Sequence, residues 1–65
     1  MLILNGEPRE VADGTTLPAL LITLGLKVGT VVVEHNGTAL LRAEAERAVL
    51  ADGDRLELVR AVAGG

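Results

Sequence analysis

The fold of this chain is decided by residues 16–25, which are TLPALLITLG. Thr16 is suited to cap the amino end of a helix, and Pro18 falls in the first turn, where its missing N–H has no helical partner. Gly25 fits the left-handed position just beyond a helix end. The stretch therefore predicts one amphipathic helix. Its apolar face is built from leucines at the i, i+3, i+4 and i+7 spacing, namely Leu17, Leu20, Leu21 and Leu24.

The residues before this helix predict a β-hairpin. Met1 to Leu4 is a short apolar run, and Asn5-Gly6 follows it as a turn in which both residues tolerate positive φ. Glu7 to Val11 is predicted as the returning strand. Because Pro8 cannot donate a ladder hydrogen bond, this strand belongs at a sheet edge. Asp13-Gly14 then predicts a second turn before the helix.

The residues after the helix predict a second pair of strands. Val31-Val32-Val33 is a β-branched run that continues to His35, and Asn36-Gly37 repeats the hairpin signal. Thr38 to Leu41 is predicted to return. Arg42 to Arg47 is short, charged and alanine-rich, which favours a single helical turn.

The last strand completes an α+β fold. Asp52-Gly53-Asp54 marks a turn, and residues 55–60 then alternate, with two leucines on one side and Glu57 and Val59 on the other. The order of elements predicts a mixed sheet of four to five strands with one main helix packed on one face. Residues 1–60 are predicted to form this domain. Residues 61–65 have two glycines and little to pack, and are predicted to form a flexible tail.

The composition excludes several classes of protein. The 65 residues include no cysteine and one histidine, so neither a disulfide nor a metal is expected to stabilise the domain. Nine acidic residues against six basic ones give a net charge of −3, and there is no Phe, Tyr or Trp. Both observations argue against a nucleic-acid binder. The sequence shows no secretory leader and no apolar run of membrane-spanning length, so we expect a cytoplasmic protein.

The side chains offer little catalytic chemistry of their own. His35 has no matching serine and carboxylate that the sequence identifies, and it is predicted to be a surface residue at a strand end. The glycines form neither of the common nucleotide-binding motifs. Two carboxylate pairs are assigned to structure, Asp52 with Asp54 to a turn and Glu44 with Glu46 to a solvated face. We therefore expect a protein that is not itself an enzyme.

The ending Ala61-Val62-Ala63-Gly64-Gly65 is the feature that suggests a function. A segment without bulky side chains can pass through a narrow channel of a partner enzyme and present its carboxylate to a reacting atom. A carboxylate is a poor electrophile, so the partner has to activate it as a mixed anhydride with ATP. The activated carbonyl then accepts sulfur or an amine. Arg60 precedes the tail and either solvates the strand end, as exposed arginines commonly do, or pairs with an acidic partner surface.

Several of these motifs together resemble the ThiS/MoaD family of sulfur carriers, over essentially the whole chain. The resemblance implies the ubiquitin-like β-grasp fold. It also implies that the Gly65 carboxylate is adenylated and then converted to a thiocarboxylate, with Val62, Ala63 and Gly64 lying in the partner's channel. The motifs that carry the resemblance are Asn5-Gly6-Glu7, the Leu17–Leu24 helix, Val33 to Gly37, Asp52 to Leu58, and the ending from Arg60 to Gly65.

The resemblance implies partners as well. A ThiF-like adenylating enzyme would use ATP and Mg, a cysteine desulfurase system would supply the sulfur, and a ThiG-like thiazole synthase would take it for the thiazole of thiamine. The carrier itself would bind no cofactor. Many relatives have an aromatic residue in the first strand or near the last, and this chain has none. The residues of the docking surface are therefore left unassigned.

Other functions would use the same fold. A MoaD-like carrier would supply sulfur to molybdopterin, and similar carriers serve tRNA thiolation or cysteine synthesis. A ubiquitin-like modifier would join the tail to target lysines, although the single Lys27 leaves little scope for chains. A plain interaction module would not use Gly65. Deletion of that residue separates the interaction module from the functions that use the tail.

Overall fold

The computed structural model describes residues 1–60, in which five strands form one mixed sheet with two helices. The sheet order is β2-β1-β5-β3-β4; β1 and β5 run parallel, and the other neighbouring pairs are antiparallel. The predicted α+β fold, with one main helix on a mixed sheet, is confirmed. The strands are β1 (Leu2–Leu4), β2 (Glu7–Arg9), β3 (Val31–His35), β4 (Thr38–Ala39) and β5 (Arg55–Arg60), and the helices are α1 (Leu17–Thr23) and α2 (Arg42–Arg47).

Helix α1 forms where the sequence predicts it. The Thr16 hydroxyl accepts a hydrogen bond from the Ala19 N–H at 3.2 Å, which satisfies one of the free donors at the helix start. Gly25 follows the helix with φ at 77°, a conformation that costs glycine little. The leucine stripe faces the sheet, and Leu17, Leu20 and Leu21 are buried.

Both Asn-Gly pairs make the predicted turns. Asn5 and Gly6 have φ of 50° and 84°, and Asn36 and Gly37 have φ of 51° and 85°. Positive φ at both central residues is the backbone that matches the twist of two antiparallel strands. The two turns close the β1–β2 and β3–β4 hairpins.

The strands β2 and β4 are shorter than the sequence predicts, for different reasons. Strand β2 ends at Arg9, rather than at Val11, since Arg9 pairs with Leu2, the first residue of β1. Strand β4 ends at Ala39, since the next residue, Leu40, packs against the core and Leu41 is the cap that begins α2. As predicted from Pro8, β2 lies at an edge of the sheet.

The core lies between the sheet and α1 and is entirely aliphatic. Burial of each of its large side chains contributes about 1.5–3 kcal/mol relative to exposure. Within residues 1–60, neither helix is long and apolar enough to span a membrane. The buried residues are Leu2, Leu17, Leu20, Leu21, Val33, Ala45, Leu50 and Leu56.

Candidate functional site at the end of strand β5

The predicted reactive tail begins where β5 ends. Gly65, and with it Val62, Ala63 and Gly64, lies outside the described residues. Arg60 is the last residue of β5 and therefore fixes the point from which the tail starts. What the structure defines is the base of the candidate site and the surfaces on either side of that base.

Strand β5 is held on both sides, because it is the central strand of the sheet. It pairs in parallel with β1, and antiparallel with all five residues of β3, from His35 opposite Leu56 to Val31 opposite Arg60. Leu56 is fully buried. A central strand with a buried side chain is among the parts of a domain that open least, so the base of the tail is firmly positioned.

The side chain of Asn5 extends the support of β5 beyond the end of β1. Its carbonyl oxygen accepts from the Leu58 N–H at 2.7 Å, and its amide nitrogen donates to the Leu58 carbonyl at 3.3 Å. The backbone N–H of Asn5 donates to the carbonyl of Leu56 at 2.8 Å. The side chain of Asn5 thus replaces the backbone hydrogen bonds that a further residue of β1 would make to Leu58. Leu58 lies two positions before Arg60.

The outer face of the sheet, which lies opposite α1, carries an exposed apolar pair next to the base of the tail. Val32 and Val59 are directly opposite each other on β3 and β5, and they are 49% and 61% exposed. Valine on a strand face is ordinary, but two exposed valines in register beside the end of a functional strand suit contact with another protein. We call Val32 and Val59 the valine pair.

The next cross-strand pair on the same face is acidic. Glu34 and Glu57 are opposite each other and both are exposed. Like charges directly opposite on neighbouring strands destabilise a sheet. A cation of a partner protein placed between them would remove that repulsion, so this pair adds a charge preference to the surface around the valine pair.

His35 differs in part from its prediction. It lies at the end of β3, as predicted, but it is half-buried rather than on the open surface, and its Nε2 lies 2.9 Å from Oδ2 of Asp54. Asp54 also accepts from the Ala51 N–H at 2.9 Å and from the Asn36 side-chain amide at 3.2 Å. The hydrogen bond with His35, helped by those from Ala51 and Asn36, lowers the pKa of Asp54 below its usual value. His35 and Asp54 are 19 positions apart in the chain, which is why the sequence did not reveal the contact.

Both glutamates are exposed, as predicted, but two of the four carboxylates differ from their prediction, since Asp52 binds the Met1 amino group rather than its own turn and Glu44 caps α2. The Asp52 carboxylate accepts from the Met1 amino group at 2.7 Å, and this hydrogen bond raises the pKa of that amino group. Glu44 accepts from the Leu41 N–H at 2.8 Å at the start of α2, and Glu46 accepts from Arg42 at 3.3 Å on its exposed side. Within residues 1–60, no group of three histidine, aspartate or glutamate side chains is placed to hold a metal ion.

Comparison with known proteins identifies the family. The model of the ThiS family matches residues 2–65. This chain belongs to the ThiS family. A ThiS-family member, the sulfur carrier protein ThiS of Thermus thermophilus, is 40% identical over 65 residues, which is the full length of both chains. The crystal structure of the thiamine biosynthesis protein ThiS from Geobacter metallireducens aligns with a TM-score of 0.81 at 33% identity, covering 98% of this chain and 97% of that one. The β-grasp fold implied by the family resemblance is thereby confirmed.

Longer proteins contain a segment similar to this chain. A thiazole synthase of Magnetococcus marinus is 40% identical over 62 residues, covering 95% of this chain. The chain spans about a fifth of the length of the thiazole synthases that it matches. In those relatives, a ThiS-like segment is therefore part of a polypeptide named for thiazole synthesis.

Proposed function

We propose that this protein carries sulfur for thiamine biosynthesis and that its reactive group is the carboxylate of Gly65. The observation that carries the proposal is the end-to-end match with the sulfur carrier protein of Thermus thermophilus, in which the alignment includes the last residue of both chains. The position of β5 supports it, because a central strand held on both sides fixes the point from which the last five residues start.

The proposed reaction takes place in three steps on the carboxylate. An oxygen of the Gly65 carboxylate attacks the α-phosphate of ATP, pyrophosphate leaves, and an acyl-adenylate is formed. A persulfide derived from cysteine then attacks the activated carbonyl and AMP leaves, and a thiol cleaves the resulting acyl disulfide, being itself oxidised to a disulfide. The product is a thiocarboxylate. The adenylate makes the second step possible because it replaces an oxide leaving group by a far better one.

The tail sequence suits this chemistry. Gly64 and Gly65 have no side chains, so they can enter a channel that is just wide enough for a backbone. Val62 and Ala63 are small enough to follow them. Beyond Arg60, five residues can reach up to about 17 Å in extended conformation, which sets how deep the partner's reacting atoms can lie below its surface.

The proposed partners act on the tail in turn. An adenylating enzyme of the ThiF type supplies ATP and Mg, a cysteine desulfurase system supplies sulfur, and a thiazole synthase accepts it. The last of these is supported by the thiazole synthases that contain a segment similar to this chain. We propose that these partners contact the valine pair, since it is exposed and lies next to the base of the tail.

Intact-protein mass spectrometry tests the proposed function. The protein is incubated with ATP, Mg, the adenylating enzyme and a cysteine-derived sulfur source. We expect a mass gain equal to the replacement of one oxygen by sulfur, localised to Gly65 by fragmentation. Adducts with lysines of other proteins would instead indicate a protein modifier. An unchanged mass, under conditions in which a known sulfur carrier is converted, would overturn the proposal.

Two variants of the tail provide the matched controls. One lacks Gly65, and the other has one residue added after Gly65. Both keep residues 1–60 unchanged, so both should fold as the natural chain does. Neither should gain sulfur, because the carboxylate is out of register with the partner's reacting atoms. Full conversion of the shortened chain would show that Gly65 is not the site.

A further inference from the structure

Two hollows at opposite ends of β5 are lined by ionisable side chains of opposite charge. At the end where β5 begins, Glu10, Asp13 and Asp52 line one hollow beside Met1. The carboxylate of Asp13 accepts from the Asp52 N–H at 3.0 Å, so two of these acidic residues are held next to each other. This acidic end lies about 17–20 Å from the point at which the tail begins, since β5 is six residues long.

At the end where the tail begins, the ionisable side chains of the corresponding hollow are both basic. Lys27, from the loop after α1, and Arg60, the last residue of β5, line the same open hollow. Both are exposed. Among residues 1–60, the structure gives neither of them an ion pair, whereas Arg42 pairs with Glu46 on α2.

The loop that carries Lys27 is fixed locally. The Thr30 hydroxyl donates to the Lys27 carbonyl at 2.6 Å and accepts from the Lys27 N–H at 3.3 Å. The backbone N–H of Thr30 also donates to the Lys27 carbonyl, at 3.1 Å. Thr30 is followed directly by β3, whose first residue, Val31, pairs with Arg60. The two cations are therefore brought to one place by the sheet, although they are 33 positions apart.

The hollow lined by Lys27 and Arg60 and the valine pair lie on opposite faces of the sheet. Successive side chains of a strand point to opposite faces, so Arg60 projects on the side of α1 while Val59 projects on the outer face. A partner that receives the tail can therefore contact its base from both sides. The outer face offers apolar and acidic groups, and the side of α1 offers two cations.

We propose that Lys27 and Arg60 dock against an acidic rim at the entrance of the channel through which the adenylating enzyme receives the tail. The inference rests on the proposed function and adds the chemistry of the partner's surface. An acidic rim attracts Lys27 and Arg60, whereas the net charge of −3 and the acidic hollow at the opposite end of β5 make other orientations of the molecule less favourable. Such complementarity raises the rate of encounter and fixes orientation more than it adds affinity.

Charge reversal at the two cations tests the inference. The double variant Lys27→Glu/Arg60→Glu is compared with Arg9→Glu, which makes one such change at an exposed residue near the acidic end, opposite Leu2 in the sheet. Pyrophosphate release by the adenylating enzyme is measured against carrier concentration at two salt concentrations. Circular dichroism confirms that each variant is folded. The neutral variants Lys27→Gln and Arg60→Gln provide graded changes.

We expect the double variant to raise KM by about tenfold or more at low salt, with a smaller effect on kcat, and we expect the difference to shrink at high salt. Arg9→Glu should change KM by less than about twofold. Equal effects of the double variant and Arg9→Glu, or an effect that salt does not reduce, would overturn the inference. Failure of the natural chain to gain sulfur would contradict the proposed function instead, so the two outcomes are separate.

Discussion

The ring nitrogen Nε2 of His35 lies 2.9 Å from Oδ2 of Asp54, and this contact joins the β3–β4 hairpin to the turn from which β5 begins. Asn36 strengthens the same junction, since its side-chain carbonyl accepts from the Arg55 N–H at 2.8 Å and its own N–H donates to the Arg55 carbonyl at 2.8 Å. The start of β5 is thus fixed by polar side chains, and its interior by the buried Leu56.

The substitution Asp54→Asn should lower the free energy of unfolding by about 1–2 kcal/mol at neutral pH, because it weakens charge-assisted hydrogen bonds to His35, Ala51 and Asn36. The pKa of Asp54 is lowered in the folded protein. The contribution of the Asp54 carboxylate to the free energy of unfolding is therefore fully present above the ordinary pKa of an aspartate, about 4. It is lost as the pH falls through the lowered pKa of the folded protein.

Urea unfolding at several pH values measures this effect. The difference between the natural chain and Asp54→Asn should shrink below about pH 4. Glu10→Gln removes an exposed carboxylate and serves as the control, with little effect at any pH. A difference that stayed constant down to strong acid would contradict the role given to the Asp54 charge.

The substitution Asn5→Ala should destabilise the protein by about 1–2 kcal/mol, since both hydrogen bonds to the backbone of Leu58 are lost and alanine adopts the positive φ of this position less readily than asparagine does. Hydrogen exchange gives the local readout, and the amide of Leu58 should exchange faster. Asn5→Asp keeps the acceptor for the Leu58 N–H and should protect that amide better than Asn5→Ala does. Unchanged exchange at Leu58 in both variants would show that the Asn5 side chain does not support β5.

The substitution Leu56→Ala should cost about 2–5 kcal/mol, because Leu56 is fully buried in the central strand and its removal leaves a cavity. A domain of this length has a total stability of only about 3–10 kcal/mol, so the variant should be close to unfolding. Leu41→Ala, at a residue that is 71% exposed, should change the urea midpoint very little. Similar midpoints for the two variants would contradict the assigned core.

The double substitution Val32→Thr/Val59→Thr tests the valine pair as a docking surface. Threonine keeps the β-branched shape, so we expect the free energy of unfolding to change by less than about 1 kcal/mol. Binding to the adenylating enzyme or to thiazole synthase, measured by calorimetry, should weaken by about tenfold, as expected when exposed apolar contacts at an interface are lost. Val49→Thr makes the same change at an exposed valine outside the five strands and should bind as the natural chain does. Equal affinities for all three chains would exclude this face.

Local signals account for the parts of the fold that the sequence predicted well. The Thr16 cap and the leucine stripe act within about two helical turns, so α1 could be placed without knowledge of the sheet. The turns at Asn5-Gly6 and Asn36-Gly37 depend on the conformations open to two residues. Strand β2 is shorter than predicted because its partner β1 ends, and β4 is shorter because Leu40 packs against the core and α2 begins; both ends are set by the tertiary structure.

The candidate site also has one part that the sequence predicts and another that requires the tertiary structure. The tail from Ala61 to Gly65 is proposed from its sequence, since a run of small residues with a terminal carboxylate suggests its chemistry directly. The surfaces beside the tail were not found. The valine pair needs the register of β3 against β5, and the hollow of Lys27 and Arg60 needs the loop after α1 to meet the end of β5.

The sequence by itself determined the helix, the turns, the alternation of the last strand and the chemistry proposed for Gly65, because each of these depends on residues that are neighbours in the chain. Only the tertiary structure decided that β5 lies between β1 and β3, that Asn5 supports Leu58, and that His35 meets Asp54. These contacts join residues 19 to 53 positions apart. Such pairings form when burial of the common core offsets the entropy lost in closing long loops, and no short stretch of sequence contains that balance.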